Sequence, residues 1–259
     1  MKPPVVLAYH GLVNVPPRLD PHNLMVDPAR FRDQVASLRR RGYSFVTLSE
    51  FGRSLRNGSP PSGLCALTFD DGSADNAHVL PEVLEALDVP ATVFVCPGLL
   101  GRNHPFMPAE AGIRLMSGHE LRGLGSLAGV EIGSHTSTHA DLASATADEA
   151  YYEMASSKAA LEDLLGRAVE SFAYPGCRYS AECPEAAKRA GYSVAVTCGP
   201  RGTWNRYELR RESVDSRDRA FTFALKSRGL FWPIWASPPG RAARWAARPL
   251  RHRQAMSSS

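Results

Sequence analysis

Short apolar runs alternate along the chain with segments whose apolar residues return every three or four positions. Val5–Tyr9, Leu64–Phe69 and residues 91–96 are near-continuous apolar runs of strand length, the pattern of strands buried on both faces. Residues 43–48 alternate as a strand does, and 130–133, 170–174, 194–197 and 209–214 complete the set. Residues 27–41 carry Phe31, Val35 and Leu38 on one helical face and stop at Gly42, and Ser49 stands where it can cap a following helix. Helices are also predicted over 75–87, 117–124, 147–165 and 184–190, with Ser117 and Glu120 in capping-box spacing. This alternation predicts a parallel sheet covered by helices, the α/β class. Seven or eight such units fit a (β/α) barrel, whose functional groups gather at the C-terminal ends of the strands. The packed domain is expected over residues 1–229. An aromatic, Arg-rich segment at 230–259 follows, broken by Pro233, Pro238, Pro239 and Gly240, and is expected to be partly disordered.

At 44% hydrophobic, the chain can bury a large core. No apolar run approaches the length of a membrane-spanning helix. Thirty Lys and Arg against 26 Asp and Glu give a formal net charge of +4, but the excess is local. From Arg219 to the end there are eight basic residues and no acid, which leaves the first 218 residues with 22 basic and 26 acidic groups, a net of −4. A basic tail on an acidic body is not the footprint of a nucleic-acid binder. The aromatic cluster 230–235 and the arginines of 241–253 suit either a barrel cap or a peripheral contact with an anionic membrane surface. The five cysteines contain no CxxC pair, and the N-terminal residues lack the apolar length of a secretion signal. Reduced thiols and a cytoplasmic location, with or without membrane association, are therefore expected.

Two motifs carry the chemistry. Thr68-Phe69-Asp70-Asp71-Gly72 ends an apolar strand and puts two carboxylates at its mouth, although Asp-Gly alone also reads as an ordinary turn. Ser134-His135-Thr136-Ser137-Thr138-His139 follows another strand, and two histidines four apart share one face of a helical turn. Two His and one carboxylate make a ligand set for a catalytic divalent metal with open positions, and the spare Asp can serve as a base. Phe172-Ala173-Tyr174-Pro175-Gly176 ends a third strand. It reads either as core plus turn or as a wall of the site with a backbone N–H pointing inward. His10 ends the first strand, would face the same mouth, and is a catalytic candidate. His22, His78, His104, His119 and His252 read as surface or core residues.

In that order, TFDDG, SHTSTH and FAYPG resemble the polysaccharide deacetylase family, also called the NodB-homology domain or carbohydrate esterase family 4. Leu7-Ala8-Tyr9-His10 is similar to the first strand of one bacterial subgroup, and the likeness spans residues 5–225. The resemblance implies a distorted (β/α) barrel of about seven units. It also implies a metal-dependent hydrolase that cleaves the acetamide of an N-acetylated amino sugar to acetate and a free amine. Carried over residue by residue, Asp70 would be the catalytic base, and Asp71, His135 and His139 would hold the metal. That metal is usually zinc, although other divalent ions serve in this family. Tyr174, Pro175 and Gly176 would form the oxyanion and substrate wall, and Arg178 and Tyr179 could meet sugar hydroxyls.

The chain departs from the family pattern in several places. Ala173 stands where many members carry the Arg that braces the base, and Gly176 stands where a Tyr is common. The late Leu-x-x-His that supplies the acid is matched only by Leu209-Arg210-Arg211-Glu212, and the late Asp-Trp is missing. Two alternatives follow: a sugar-binding relative with degraded catalysis, or a deformylase or O-deacetylase using the same site.

Overall fold

The computed structural model describes residues 2–55, 62–199 and 202–236. Strands and helices alternate through these residues. The order is β1 (Val5–Tyr9), α1 (Pro28–Arg40), β2 (Ser44–Val46), α2 (Leu48–Ser54), β3 (Leu64–Phe69), α3 (Asp75–His78), α4 (Leu80–Leu87), β4 (Ala91–Val95) and α5 (Gly118–Gly125). Then come β5 (Val130–Ser134), α6 (Ala147–Leu165), β6 (Ser171–Ala173), α7 (Cys183–Arg189), β7 (Val194–Cys198), β8 (Leu209–Ser213), α8 (Ala220–Lys226) and α9 (Phe231–Ala236). β1 pairs with β3, the series continues in parallel through β4 to β8, and β8 returns to β1. Seven strands thus close a barrel. The distortion is β2: β3 gives one edge to β1 and shares the other, pairing residues 64–66 with β2 and 68–69 with β4.

Side chains alternate along each strand between the barrel interior and the helix layer. Val6, Ala66, Phe94, Ala173, Val194, Val196 and Leu209 fill the interior and meet Leu48 and Phe51 of α2, which plugs the N-terminal end of the barrel. The alternate positions, among them Leu7, Phe69, Val93, Ile132 and Phe172, join the larger core beneath the helices. The interior leaves little room. A Cβ on Gly133 would stand 2.5 Å from the Phe94 ring and 2.6 Å from Ser171 Oγ. Gly133→Val is expected to overpack the barrel and cost about 1–3 kcal/mol. The check is a lower denaturant midpoint at unchanged slope.

Two element predictions need correction. Thr47, not Ser49, caps α2; it forms a capping box with Glu50, while the Ser49 N–H donates to Glu131. The helix predicted over 75–87 is two helices that meet at Val79, because Pro81 offers no N–H to the turn before it. Asp27 caps α1, and Ser117 and Glu120 form the expected capping box of α5. No helix among the described residues is long and apolar enough to cross a membrane. In the aromatic segment, α9 places the Trp232 ring against Gly199. The arginines of 241–253 and the three prolines and glycine read as breaks, apart from Pro233, lie outside the described residues.

Candidate active site

The C-terminal ends of the strands converge on one mouth, and β3, β5, β6 and β8 deliver groups there. Asp71, His135 and His139 each place one potential ligand atom within 4.8 Å of the others. Asp71 Oδ1 lies 3.6 Å from His135 Nε2 and 3.4 Å from His139 Nε2. The backbone is bent to achieve this. Six described non-glycine residues have positive φ, and four of them, Asp71, Thr136, His139 and Cys177, surround the mouth. Left-handed backbone at such residues costs roughly 1 kcal/mol or more, and it persists where the surroundings enforce it.

The two histidines are not on a helical turn, as their spacing had predicted. The Ala140 N–H that would close such a turn donates to Thr136 Oγ1 instead, and Thr136 and His139 have φ of 63° and 60°. Glu153 of α6 anchors the loop by accepting the N–H groups of Ser137 and Thr138 at 2.9 and 3.0 Å and the Thr138 hydroxyl at 3.0 Å. Nothing in the motif itself pointed to that residue.

His135 is fully enclosed, and its Nδ1–H donates to the Ala173 carbonyl at 2.8 Å. The Nε2 lone pair is thereby left facing Asp71, the tautomer a metal ligand requires. Burial pulls the His135 pKa down to about 4, which keeps the ring neutral. His139 is less enclosed; burial lowers its pKa, but the Asp71 carboxylate outweighs this and holds it above the ordinary value. Burial likewise pushes Asp71 up, and contacts from His104 and His139 reverse this and hold it well below the carboxylate range. Two imidazoles and one carboxylate, with one tautomer already fixed, fit a divalent ion of the zinc type.

Asp70 is 4% exposed and meets the fully buried Arg211 in a two-pronged pair: Nη1 to Oδ1 at 2.6 Å and Nη2 to Oδ2 at 2.8 Å. Arg211 Nη1 also donates to Thr68 Oγ1 at 3.0 Å. Burial works against the ionised Asp70, but Arg211 outweighs it and holds the pKa below its usual value. The bracing arginine missing at Ala173 is therefore supplied by β8. Glu212, the residue aligned with the late histidine, points the other way. It pairs with Arg210 on the outer face of β8, away from the mouth, so it is not placed to protonate a leaving group.

The third motif divides. Pro175–Cys177 form a tight turn at the mouth, with Gly176 at φ 56°. Tyr174 belongs to the core, not to the wall. Its ring lies in the helix layer against Phe172 and Tyr179, it is 0% exposed, and its hydroxyl donates to the Tyr207 carbonyl. Tyr179 is half-buried, stacked on Tyr174 at 4.3 Å with its hydroxyl donating to Glu208. Arg178 stands exposed at the rim, paired with Asp141 at 3.0 Å. Cys177 and Cys198 form a disulfide, which corrects the expectation of reduced thiols at these two positions. The register of β6 against β7 brings the two ends together, with 5.3 Å between the Cα atoms. Cys65, Cys96 and Cys183 are free and buried.

His10 directly follows β1, and its buried Nδ1 has no hydrogen-bond partner. Of the other histidines read as surface or core, His104 is buried at 2% exposed, and it lies 3.5 Å from Asp71 Oδ2. His78 and His119 are surface residues; His22 is exposed against the edge of Phe106, and His252 lies outside the described residues.

The closed parallel barrel and the Asp–His–His cluster beside Asp70 agree with the fold and the first two motifs expected of the polysaccharide deacetylase family. The chain belongs to the polysaccharide deacetylase family, whose pattern its residues 57–195 match. It is 30% identical over 196 residues to "Putative polysaccharide deacetylase YxkH" of Bacillus subtilis (strain 168), a match covering 75% of this chain and 64% of that protein's length. Among solved structures, the Streptococcus pyogenes deacetylase PplD in complex with acetate superposes with a TM-score of 0.72 and 26% identity, covering 86% of this chain and 97% of that one. IcaB from Ammonifex degensii gives a TM-score of 0.73 at 21% identity, over 89% and 98% of the two chains, a likeness of fold alone.

Proposed function

We propose that this protein is a metal-dependent N-deacetylase that hydrolyses the acetamide of an N-acetylated amino sugar to acetate and a free amine. The observation that carries the reading is the Asp71–His135–His139 cluster beside an ionised, arginine-held Asp70. PplD, related in both fold and sequence, is a deacetylase described with acetate, the product expected of this reaction.

Asp71, His135 and His139 would hold a divalent ion, zinc by donor set, which when bound polarises the amide carbonyl and acidifies water. Asp70 accepts the proton from the attacking water; its ionised state, kept by Arg211, leaves it able to do so. The Gly176 N–H, on the turn at the mouth, is the donor suited to the carbonyl oxygen as negative charge builds there. With Glu212 on the outer face, His10 is the remaining candidate to deliver a proton to the departing amine.

The test is acetate release from a panel of glycans and glycosylated intermediates bearing N-acetylglucosamine, with mass spectrometry for loss of one acetyl group. Removal of divalent ions by a chelator is expected to lower the rate at least roughly ten-fold, and adding zinc back to restore it. A metal-replete protein that binds such glycans without releasing acetate would instead be the degraded relative.

A further inference from the structure

His104 sits in the loop between β4 and α5, where its ring is 2% exposed. It lies against Phe106, with ring centres 5.9 Å apart, and the Phe106 ring in turn meets His139 at 4.7 Å. Its Nδ1 accepts the Phe106 N–H at 3.3 Å. A ring nitrogen that accepts a backbone N–H carries a lone pair, so the proton of the neutral imidazole is on Nε2. That Nε2 is buried without a hydrogen-bond partner, and the nearest carboxylate oxygen is Asp71 Oδ2 at 3.5 Å, just short of a formed hydrogen bond. The other oxygen of the same carboxylate, Oδ1, faces His135 and His139.

We propose that His104 is a positioning residue of this site: its Nε2–H holds Asp71 Oδ2 and so turns Oδ1 toward the ion-binding histidines. The inference rests on the metal reading of the cluster. The terminal torsion of an aspartate is soft, so the carboxylate needs a donor on its far side to fix which oxygen points inward. Asp71 faces that nitrogen from a left-handed backbone, at φ 69°. His104 is not a further ligand. Ligation through Nε2 needs a lone pair there, and the Phe106 N–H assigns the lone pair to Nδ1.

The experiment measures Zn²⁺ affinity of the full-length protein by competition with a chromophoric chelator, and the visible spectrum of the Co²⁺ form, in the parent, His104→Gln and His104→Asn. The amide nitrogen of Gln reaches the place of Nε2, and that of Asn does not. His104→Asn is expected to weaken Zn²⁺ binding by about 10–100-fold, and His104→Gln by no more than about three-fold. At saturating Co²⁺ both variants are expected to keep the parent's band intensities, since no ligand is lost. Parent-like affinity in the Asn variant, equal weakening in both variants, or altered Co²⁺ bands would overturn the proposal. A parent that binds neither ion would overturn the metal reading instead.

Discussion

Replacing Asp70 with Asn is expected to lower the rate of acetyl release by about 10²–10⁴-fold, the range general base catalysis supplies. The amide has nearly the shape of the carboxylate and can still accept from one arm of Arg211, but it cannot take a proton from water. Asp71, His135 and His139 are untouched, so metal content at saturation is expected to match the parent. The variant must be assayed at a temperature where it is folded, because Arg211 then lacks its counter-charge. Steady-state kcat with metal content measured on the same sample is the check, and an Asp70→Asn enzyme with the parent's kcat would place the base elsewhere.

The second large effect falls on stability. Arg211 is fully buried and makes both of its short contacts with Asp70. Arg211→Met is expected to destabilise the protein by about 3–5 kcal/mol, because removing one partner strands a charge in the interior. Burial, the largest influence on Asp70, then loses its strongest opponent and shifts the balance toward the protonated acid, so activity should fall as well. Pairing Arg211→Met with Asp70→Asn should cost much less than the sum of the single changes, since the double variant leaves no unpaired charge. Denaturant melts of all four proteins measure this. A loss below about 1 kcal/mol in Arg211→Met, the size of an exposed pair, would mean that the contact is not the buried bridge described.

Most of the barrel was legible because most strands are short, apolar and followed by a helix. Ala147–Leu165 was read to the residue, since Thr146 and Gly166 close its ends. Boundaries slipped where tertiary contacts took over a local signal: Glu131 claims the Ser49 N–H, and β2 survives only as three residues wedged against β3. In the site, the Asp71, His135 and His139 cluster was legible because motif and strand end coincide. Arg211 was hidden because it belongs to none of the three motifs. Yet Leu209 faces the interior, and a period of two puts Arg211 on the same face and Glu212 on the other. Tyr174 could have been assigned to the helix layer by the same count from Ala173. His104 and Glu153 could not have been found this way. Each reaches the site from a loop or a helix whose sequence carries no periodic mark of it.

Barrel closure between the last strand and the first also sets the order in which the site can be made. Asp70 and Arg211 are 141 positions apart, and β1, which lies between β3 and β8 in the wall, is the first strand synthesised. During synthesis the carboxylates and the histidine loop leave the ribosome well before the guanidinium that neutralises Asp70. A nascent chain ending after β7 would hold every residue of the ion cluster, with Asp70 beside it still lacking its counter-charge. Competence and the final, longest-range strand pairing therefore arrive together, at the step where contacts distant in sequence form most slowly.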